Sequence, residues 1–409
     1  MNKWIRLGLA LPLVSTLQLA NAGGLWLNEF GAPAMGRAGA GAEAGTGDAS
    51  AALYNPASMR QIKTEQLMLS GGFLNTNSKF SVESSGALNG TGDGGDAGDI
   101  LPTGSLFYVK PINEKLQLGF SLSGLAGAGL DYDKDWAGRY QATSVAIVAM
   151  VAMPSLAFSV SEKLSLGFGL PIMYTELEMK LAVPRPDQSD GQAKIDGDDI
   201  LAGYHLSLWY EFSPATQLGI YYQSEFEAKY SGGVDVDPLG LSVGSDLDLN
   251  FSAKAYAGLS HRFSDKLTAH ITLGWEDWST MGDVNLSTRT GGNASLPKNW
   301  NDTYHYAVGI EYLLAPEWIL NLGYAYDTNP VDAKDRTADL PVDRQNRYTV
   351  GIEHKSPSSF DWGAQLVYVD LGSAAINTRS LAGGPATGYS GDYKNNEMIV
   401  ASFSANWAF

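Results

Sequence analysis

The C-terminal stretch NNEMIVASFSANWAF (395–409) alternates between apolar and polar residues as far as the terminal Phe409. The apolar positions are Ile399, Ala401, Phe403, Ala405, Trp407 and Phe409, and the positions between them include Ser402, Ser404 and Asn406. A period of two places successive side chains on opposite faces of a β-strand. An apolar, aromatic-rich face opposite a polar face is typical of a membrane barrel strand, with lipid outside and the lumen inside.

The same alternation recurs upstream, for example in 164–175, 267–275 and 318–327. Short polar turns interrupt it within 110–120, 160–168, 212–220, 263–274, 314–323 and 355–363. Longer segments rich in Gly, Asp, Asn and Ser lie between the turns, at 79–100, 126–142, 184–199, 232–246, 281–300, 329–344 and 373–394. This order predicts an all-β membrane barrel of 14 antiparallel strands (63–409), with both ends of the barrel chain in the periplasm. The alternative, a soluble sandwich or propeller, requires shorter strands.

Composition narrows the class of protein further. The chain has no Cys, and its net charge of -17 does not suit a nucleic-acid-binding protein. The five His are scattered without metal-ligand spacing, so we expect no metal site and no bound cofactor. Beyond the N-terminus no segment has the roughly 18 unbroken apolar residues of a membrane helix.

The N-terminus has the pattern of a secretory signal peptide (1–22). Lys3 and Arg6 precede a short apolar core, and Ala20-Asn21-Ala22 fits the cleavage rule. A membrane anchor is the alternative, but the core is too short to span a bilayer. The mature chain should therefore begin near Gly23.

Residues 23–62 precede the first predicted strand and are rich in Ala and Gly. Helix-like pieces are predicted at 33–43, 48–54 and 56–61, with Asp48 and Asn55 as N-caps and Pro56 at a first helical position. Because a barrel of this size has a lumen that its own side chains cannot fill, we predict a hatch domain folded inside it. A disordered periplasmic tail is the alternative.

The segment LNEFGAPAMGRAGAGAEAGTGDASAALYNPASM (27–59) contains the motif Asn55-Pro56-Ala57. Three further distinctive segments are DYDKDWAGRYQAT (131–143), WEDWS (275–279) and YDTNPVDAKDRTADLPVDRQNRYTVG (326–351). Together these segments resemble the FadL/TodX family of long-chain fatty acid and hydrocarbon channels, and the first resembles the family's N-terminal hatch with its Asn-Pro-Ala motif. The resemblance covers nearly the whole mature chain. It implies a 14-stranded barrel with a lumenal hatch. The aromatic last strand of this chain resembles the signal that the barrel assembly machinery reads.

The resemblance also implies a mechanism. A hydrophobic substrate is captured at the outer loops and passes to a pocket near the mature N-terminus, where Leu25, Trp26 and Leu27 could reach it. Movement of the hatch then opens a path, with Asn55, Pro56 and Ala57 as the candidate gating residues. The substrate leaves sideways through a gap at a kinked third strand.

The third strand, predicted near 115–125, meets its loop at a cluster of glycines. Gly124, Gly127 and Gly129 can mark a bend and a lateral opening, or only a flexible loop root. The fourth strand departs from the polar-lumen rule, because Val145, Ile147, Val151 and Met153 share its inward face with Ala149. Such a wall can bind an apolar ligand or contact the hatch, and both interpretations are kept.

A fatty-acid site also needs a cation for the carboxylate, for which Arg is well suited. Arg139 is one candidate in the substrate pocket, and Arg336, Arg344 and Arg347 are others, although an Arg in a long loop is commonly solvated or paired with Asp. A hydrocarbon substrate would need no such cation.

We therefore expect a passive, monomeric outer-membrane channel for hydrophobic compounds, most of all long-chain fatty acids, surrounded by outer-membrane lipids. Aromatic hydrocarbons such as toluene are the alternative substrates. A general porin and an outer-membrane lipase are the alternatives from other classes, and the expectation is that the protein is no enzyme.

Overall fold

The computed structural model describes residues 31–185, 189–237, 239–357, 359–378 and 388–409, with the backbone alone at 125–128. The predicted signal peptide (1–22) and the predicted pocket residues Leu25, Trp26 and Leu27 lie outside these ranges. The described part of the chain therefore begins within the predicted hatch segment.

Within the described residues, all strand segments belong to one antiparallel sheet. Their bounds are β1 (Gln66–Ser85), β2 (Ile100–Pro111), β3 (Leu116–Asp131), β4 (Ser144–Ser159), β5 (Leu164–Gly169), β6 (Ile172–Val183), β7 (Gly191–Ala202), β8 (His205–Ser213), β9 (Thr216–Gln223), β10 (Phe226–Asp237), β11 (Leu241–Phe251), β12 (Lys254–Arg262), β13 (Leu267–Glu276), β14 (Asp283–Thr288), β15 (Asn293–Pro297), β16 (Thr303–Ala315), β17 (Trp318–Asp327), β18 (Gln345–His354), β19 (Phe360–Asp370), β20 (Ile376–Thr378) and β21 (Tyr389–Ala408). Pairing of β1 with β21, from Gln66–Ala408 to Ser85–Tyr389, closes the sheet into a barrel.

Six barrel strands consist of two segments each, because a short irregular stretch interrupts them. They are β5 with β6, β7 with β8, β9 with β10, β11 with β12, β13 with β14, and β15 with β16. With each pair counted once and the short β20 set aside, the barrel has 14 strands, which confirms the prediction. Between β13 and β14 the chain forms a 3₁₀ turn, Trp278–Met281, and both of these residues are buried.

The connections agree with the prediction at one end of the barrel and differ at the other. All six short turns are present between consecutive strands. Three segments predicted as long loops, 184–199, 232–246 and 281–300, are instead largely strand, in the hairpins β6–β7, β10–β11 and β14–β15. In the ladder of β10 with β11, for example, Gly232 pairs with Ser245 and Gly233 pairs with Gly244. Beyond the lipid zone the outward positions of this hairpin are polar, as at Ser231 and Asp235, while Val234 is buried on the inside, so the apolar outer face that identifies a membrane strand is missing.

The two faces of each barrel strand meet different surroundings. On β4, Val148, Leu156 and Phe158 are exposed on the outside of the barrel, whereas Val145 and Ile147 are 3% exposed on the inside. Large exposed hydrophobic residues occur at alternate positions of the other strands as well. The outer face is therefore an apolar band for lipid, as the sequence predicted.

Residues 31–62 fold inside the barrel as the hatch. Its pieces are the 3₁₀ turns Pro33–Arg37, Ala42–Ala44 and Pro56–Gln61, and the α-helix α1, Ala51–Tyr54. These pieces contact wall segments from β2 round to β19, so the hatch spans the lumen. No helix within the described ranges is long and apolar enough to cross a membrane.

The hatch is less helical than the sequence suggested. Helix α1 begins at Ala51, and its N-cap is Ser50, so Asp48 is not the cap that was predicted. The Asp48 carboxylate instead accepts hydrogen bonds from the Ser50 backbone N–H (3.0 Å) and hydroxyl (2.5 Å). This local turn competes with the first helical turn and delays the start of the helix.

Candidate functional site

An apolar surface lines one side of the lumen above the hatch. Val145, Ile147, Val151 and Met153 of β4 are all 3% exposed or less and belong to one buried apolar cluster. The cluster continues across the neighbouring strands through Met173, Leu177, Ile195, Phe226, Tyr230, Leu247, Leu249, Phe251, Trp278 and Trp300. Sequence reasoning missed the members beyond β4, although they follow the same alternation on the inward face. This continuous apolar wall suits a hydrophobic molecule.

The hatch contributes to the same cluster from below. Leu53, Tyr54 and Met59 of the hatch pack in it beside the β4 residues. The β4 wall therefore contacts the hatch, one of the two roles that the sequence left open. Its contact with substrate stays a prediction.

Inward-facing glycines allow the hatch to approach the wall closely. A Cβ atom on Gly219 would lie 1.7 Å from the Glu43 carbonyl oxygen, and one on Gly167 would lie 2.3 Å from the Ala57 backbone nitrogen. A side chain at either position would separate hatch from wall. The alternation of apolar residues with Gly thus has a cause in the fold, since the glycine face is covered by the backbone of the hatch.

Asn55 connects three parts of the structure and is fully buried. Its side-chain oxygen accepts a hydrogen bond from the Ala57 backbone N–H at 2.9 Å, which makes it the N-cap of the turn Pro56–Gln61. Its amide donates to the carbonyl oxygens of Glu43 (2.6 Å) and Leu208 (3.0 Å). One side chain therefore joins the last hatch turn to the preceding one and to barrel strand β8.

Pro56 and Ala57 complete the predicted gating motif. Pro56 occupies the first position of its 3₁₀ turn, where the missing N–H is not needed. The Ala57 N–H also lies 3.1 Å from the Ser207 hydroxyl oxygen, and Ala57 is fully buried against the wall. The motif thus lies at a hatch–wall contact, and a gating role stays a prediction.

Charged groups also hold the hatch in the lumen. Arg37 forms an ion pair with Glu311 of β16. The Thr272 hydroxyl donates a hydrogen bond to the buried carboxylate of Glu43 at 2.6 Å, and Arg37 lies near the same carboxylate. Burial raises the pKa of Glu43 above its ordinary value, and the Thr272 hydrogen bond lowers it in part. These polar contacts sit in a low-dielectric site, where loss of one partner is costly.

The predicted lateral opening falls where β2 and β3 separate. Their ladder ends at the pair Ser105–Ser123, and the next described bond between the two sides joins the Asp131 N–H to the Ala97 carbonyl. Strand β3 is longer than predicted, so Gly124, Gly127 and Gly129 lie inside it rather than at a loop root. On the other side, β3 stays paired with β4, with a bulge after Gly124. The glycines therefore border a stretch of missing β2–β3 pairs.

All four candidate arginines are paired with aspartates. Arg139 lies in an outer loop beyond β3, where its Nε donates to Asp190 at 2.7 Å and its other nitrogens donate to loop carbonyls. The corresponding acidic partners are Asp343 for Arg336, Asp370 for Arg344 and Asp327 for Arg347. Arg139 lines a cavity at the outer loops with Asp190 and Lys180, and the four predicted β4 pocket residues are not part of that lining.

Aromatic side chains cover the outer end of the barrel. Trp136 is fully buried and stacks on Tyr132 with ring centroids 4.0 Å apart. Phe80, Tyr389 and Tyr393 surround this pair, and the Tyr132 and Tyr393 hydroxyls are 2.5 Å apart. Three separate outer segments are thereby joined into one cap.

The described residues provide no metal site. Among the described residues, no group of three His, Asp or Glu side chains is arranged to hold a metal ion.

Comparisons with known proteins agree on one family. The family model described as "Outer membrane protein transport protein (OMPP1/FadL/TodX)" matches residues 13–409. A long-chain fatty acid transport protein of Escherichia coli is 22% identical, over 88% of this chain and 90% of that protein. Among solved structures, a Pseudomonas aeruginosa FadL homologue superposes with a TM-score of 0.87 at 22% identity, covering 95% of this chain and 100% of that one. The Pseudomonas putida toluene transporter TodX superposes with a TM-score of 0.69 at 17% identity, covering 93% of this chain and 98% of that one.

Proposed function

We propose that this chain, which belongs to the OMPP1/FadL/TodX family of outer-membrane transport proteins, is a passive channel for long-chain fatty acids. The family comprises outer-membrane transporters of hydrophobic compounds rather than enzymes. The substrate binds in the barrel, the hatch moves, and the substrate leaves sideways into the membrane. No nucleotide and no bound cofactor are needed.

The observation that carries this proposal is the continuous apolar wall that ends on the hatch. It joins β4 to the aromatic residues Phe226, Phe251 and Trp278, and it includes Leu53 and Tyr54 of the hatch. A long alkyl chain would bury its surface along such a wall, at roughly 0.8 kcal/mol per CH₂ group. The similarity to a long-chain fatty acid transport protein supports the same substrate.

The second candidate is an aromatic hydrocarbon. The aromatic lining of the wall favours ring stacking, and TodX, a toluene transporter, shares the fold. Uptake separates the two candidates. If fatty acids are the substrate, deletion of the gene should lower oleate uptake and a plasmid copy should restore it. Toluene uptake should stay constant in both strains. The reverse result would favour the hydrocarbon, and unchanged uptake of both would overturn transport of either.

The exit path is proposed at the gap between β2 and β3. A Cβ atom on Gly124 would have Met150 as its nearest side-chain neighbour, at 3.8 Å, so a larger residue fits without unfolding the strand. Gly124→Trp and Gly127→Trp should therefore block uptake and leave the barrel folded. Ala294→Trp, at an exposed position of the outer hairpin, is the matched control. Normal uptake in both glycine variants would remove the exit from this place.

The porin and lipase alternatives make different predictions. A porin needs an open lumen, whereas hatch and wall approach so closely at Gly219 that no side chain fits between them. Ion conductance of the native protein in planar bilayers would favour a porin. Ester hydrolysis that disappears on replacing one Ser or His would favour a lipase.

A further inference from the structure

A small polar chamber lies between the hatch and strands β8, β9, β12, β13 and β16. Its volume is about 40 Å³ and its lining includes His205, Gln223 and Lys254 of the wall and Glu43 of the hatch. The three wall residues are direct cross-strand neighbours, since Gln223 pairs with His205 on one side and with Lys254 on the other. They form an inward-facing row of polar side chains at the level of the hatch.

Two members of this row have polar atoms without a partner in the structure. Both ring nitrogens of His205 and the Nε2 atom of Gln223 are buried without a hydrogen bond. The two residues are 2% and 4% exposed, respectively. A buried polar group without a partner costs about 1–3 kcal/mol, so such groups normally meet a ligand or water. The chamber thus presents hydrogen-bonding capacity that the protein itself does not use.

Lys254 supplies the positive charge of the chamber and is 6% exposed. Its cross-strand neighbour on the other side is Glu276, whose two carboxylate oxygens accept hydrogen bonds from the Tyr256 hydroxyl and the Trp278 Nε1, each at 2.6 Å. Because an ammonium group carries three N–H donors, Lys254 can donate to Glu276 and to a ligand together. Glu43 faces the same chamber, and burial raises its pKa, which reduces repulsion of a second acidic group.

The chamber adjoins the apolar wall. Leu53 and Tyr54 line the chamber and also belong to the apolar cluster that contains Phe226, Phe251 and Trp278. Trp278 links the cluster to the neighbour of Lys254, since its ring lies in the cluster and its N–H donates to Glu276. At about 40 Å³ the chamber can hold a carboxyl group but not an alkyl chain.

We propose that this chamber binds the carboxyl group of a long-chain carboxylic acid, with Lys254 and Gln223 as donors, His205 as the third polar contact, and the alkyl chain along the apolar wall. The inference rests on the proposed function and assigns the substrate's polar end within it. A hydrocarbon has no group to satisfy this row, so the chamber selects acids over hydrocarbons.

The test compares oleate with methyl oleate, whose chain is the same and whose carboxylate is blocked. The full mature chain, reconstituted in nanodiscs, is titrated with each radiolabelled ligand. Lys254→Met keeps the length of the side chain and removes its charge, and Gln223→Leu removes an amide without changing charge. Lys229→Met, on the exposed face of β10, is the control. Migration of unheated samples in gels reports whether each barrel is folded.

A charge-assisted hydrogen bond corresponds to about 10- to 100-fold in affinity. We expect Lys254→Met to weaken the binding of oleate by this factor and Gln223→Leu to weaken it by about 5-fold. Neither variant should change the affinity for methyl oleate by more than about 2-fold. If Lys254→Met does not fold, the double variant Lys254→Met/Glu276→Gln keeps the site neutral and should give the same selective loss.

Failure of the inference is distinguishable from failure of the proposed function. Equal losses for oleate and methyl oleate, or no loss for either, would overturn the carboxyl site and leave the channel assignment standing. If the native protein binds neither ligand, the fatty-acid function itself fails and the inference falls with it.

Discussion

Replacement of Asn55 by Ala tests whether the Asn-Pro break works as a hinge of the hatch. The change removes three hydrogen bonds, to the Ala57 N–H and to the carbonyls of Glu43 and Leu208. The Ala57 N–H keeps a second acceptor, the Ser207 hydroxyl at 3.1 Å, so two bonds are lost without replacement. Of these two bonds only the one to Leu208 joins the hatch to the wall, whereas the one to Glu43 lies within the hatch. At about 1 kcal/mol per bond, plus a smaller cap effect, the folded and docked hatch should lose about 2–3 kcal/mol relative to an undocked, unfolded hatch, or roughly 30- to 150-fold in population.

The barrel should tolerate this loss because Asn55 takes no part in its ladder. Strands β1 and β21 close the sheet independently of the hatch. We therefore expect normal gel migration of the folded barrel, reduced oleate uptake and a new ion conductance in planar bilayers. Pro56→Ala should act in the same direction with a smaller effect, about 0.4–1 kcal/mol, because it frees only the backbone of the undocked chain.

The control is Asn293→Ala, at an exposed position of β15, which should match the native protein in all three assays. Normal uptake in both Asn55→Ala and Pro56→Ala would refute the hinge and leave Asn55 with a capping role alone. Loss of the folded barrel in Asn55→Ala would refute the separation of hatch docking from barrel assembly.

Three further predictions follow from the hatch and the outer cap. Gly219→Leu should displace the hatch, because the new Cβ atom would lie 1.7 Å from the Glu43 carbonyl oxygen. Limited proteolysis should then cleave the hatch faster than in the native protein, and an unchanged cleavage rate would contradict the displacement. Burial raises the pKa of Glu43 above 4.5, so docking is strongest below that pH and weakens as pH rises through the raised pKa. The rate at which added protease cleaves the hatch, relative to the rate in Glu43→Gln at the same pH, should therefore increase with pH, and an equal pH response in both proteins would oppose this explanation. Trp136→Ala should remove about 3–5 kcal/mol of packing from the outer cap and speed its cleavage by added protease, while cleavage at the native rate would argue against a packed cap.

The alternation of apolar and polar residues along the strands predicted most of the fold. In 395–409 a local period of two, together with the chemical contrast between lipid and lumen, specifies strand, face and membrane setting without any long-range information. Where that contrast is absent the prediction was wrong, as in the hairpin β10–β11, where Gly232 to Asp246 were predicted as loop. The outward positions there are polar, as at Ser231 and Asp235, so the hairpin lacks the apolar outer face by which the other strands were recognised.

The candidate site was predicted only in part. Val145, Ile147, Val151 and Met153 lie together on a buried wall, as their alternation indicated. The wall's extension to Phe226 and Trp278 was missed, although it runs through successive neighbours of β4 round the barrel, because the pairing of β6, β7 and β10 beyond the lipid zone was not predicted. The arginines offered as carboxylate partners are all paired with aspartates, a fact that no spacing in the sequence displays.

The sequence by itself determined the class of the protein, the number of barrel strands and the presence of a small plug with a break at Asn55-Pro56. Those features follow from interactions between near neighbours in the chain and from the two solvents that each strand meets. Only the tertiary structure decided that Asn55 binds Leu208, that Gly219 touches Glu43, and that His205, Gln223 and Lys254 form one row. Closure of the barrel sets these contacts, because the register between distant strands and the docking of the hatch determine which inward-facing residues meet.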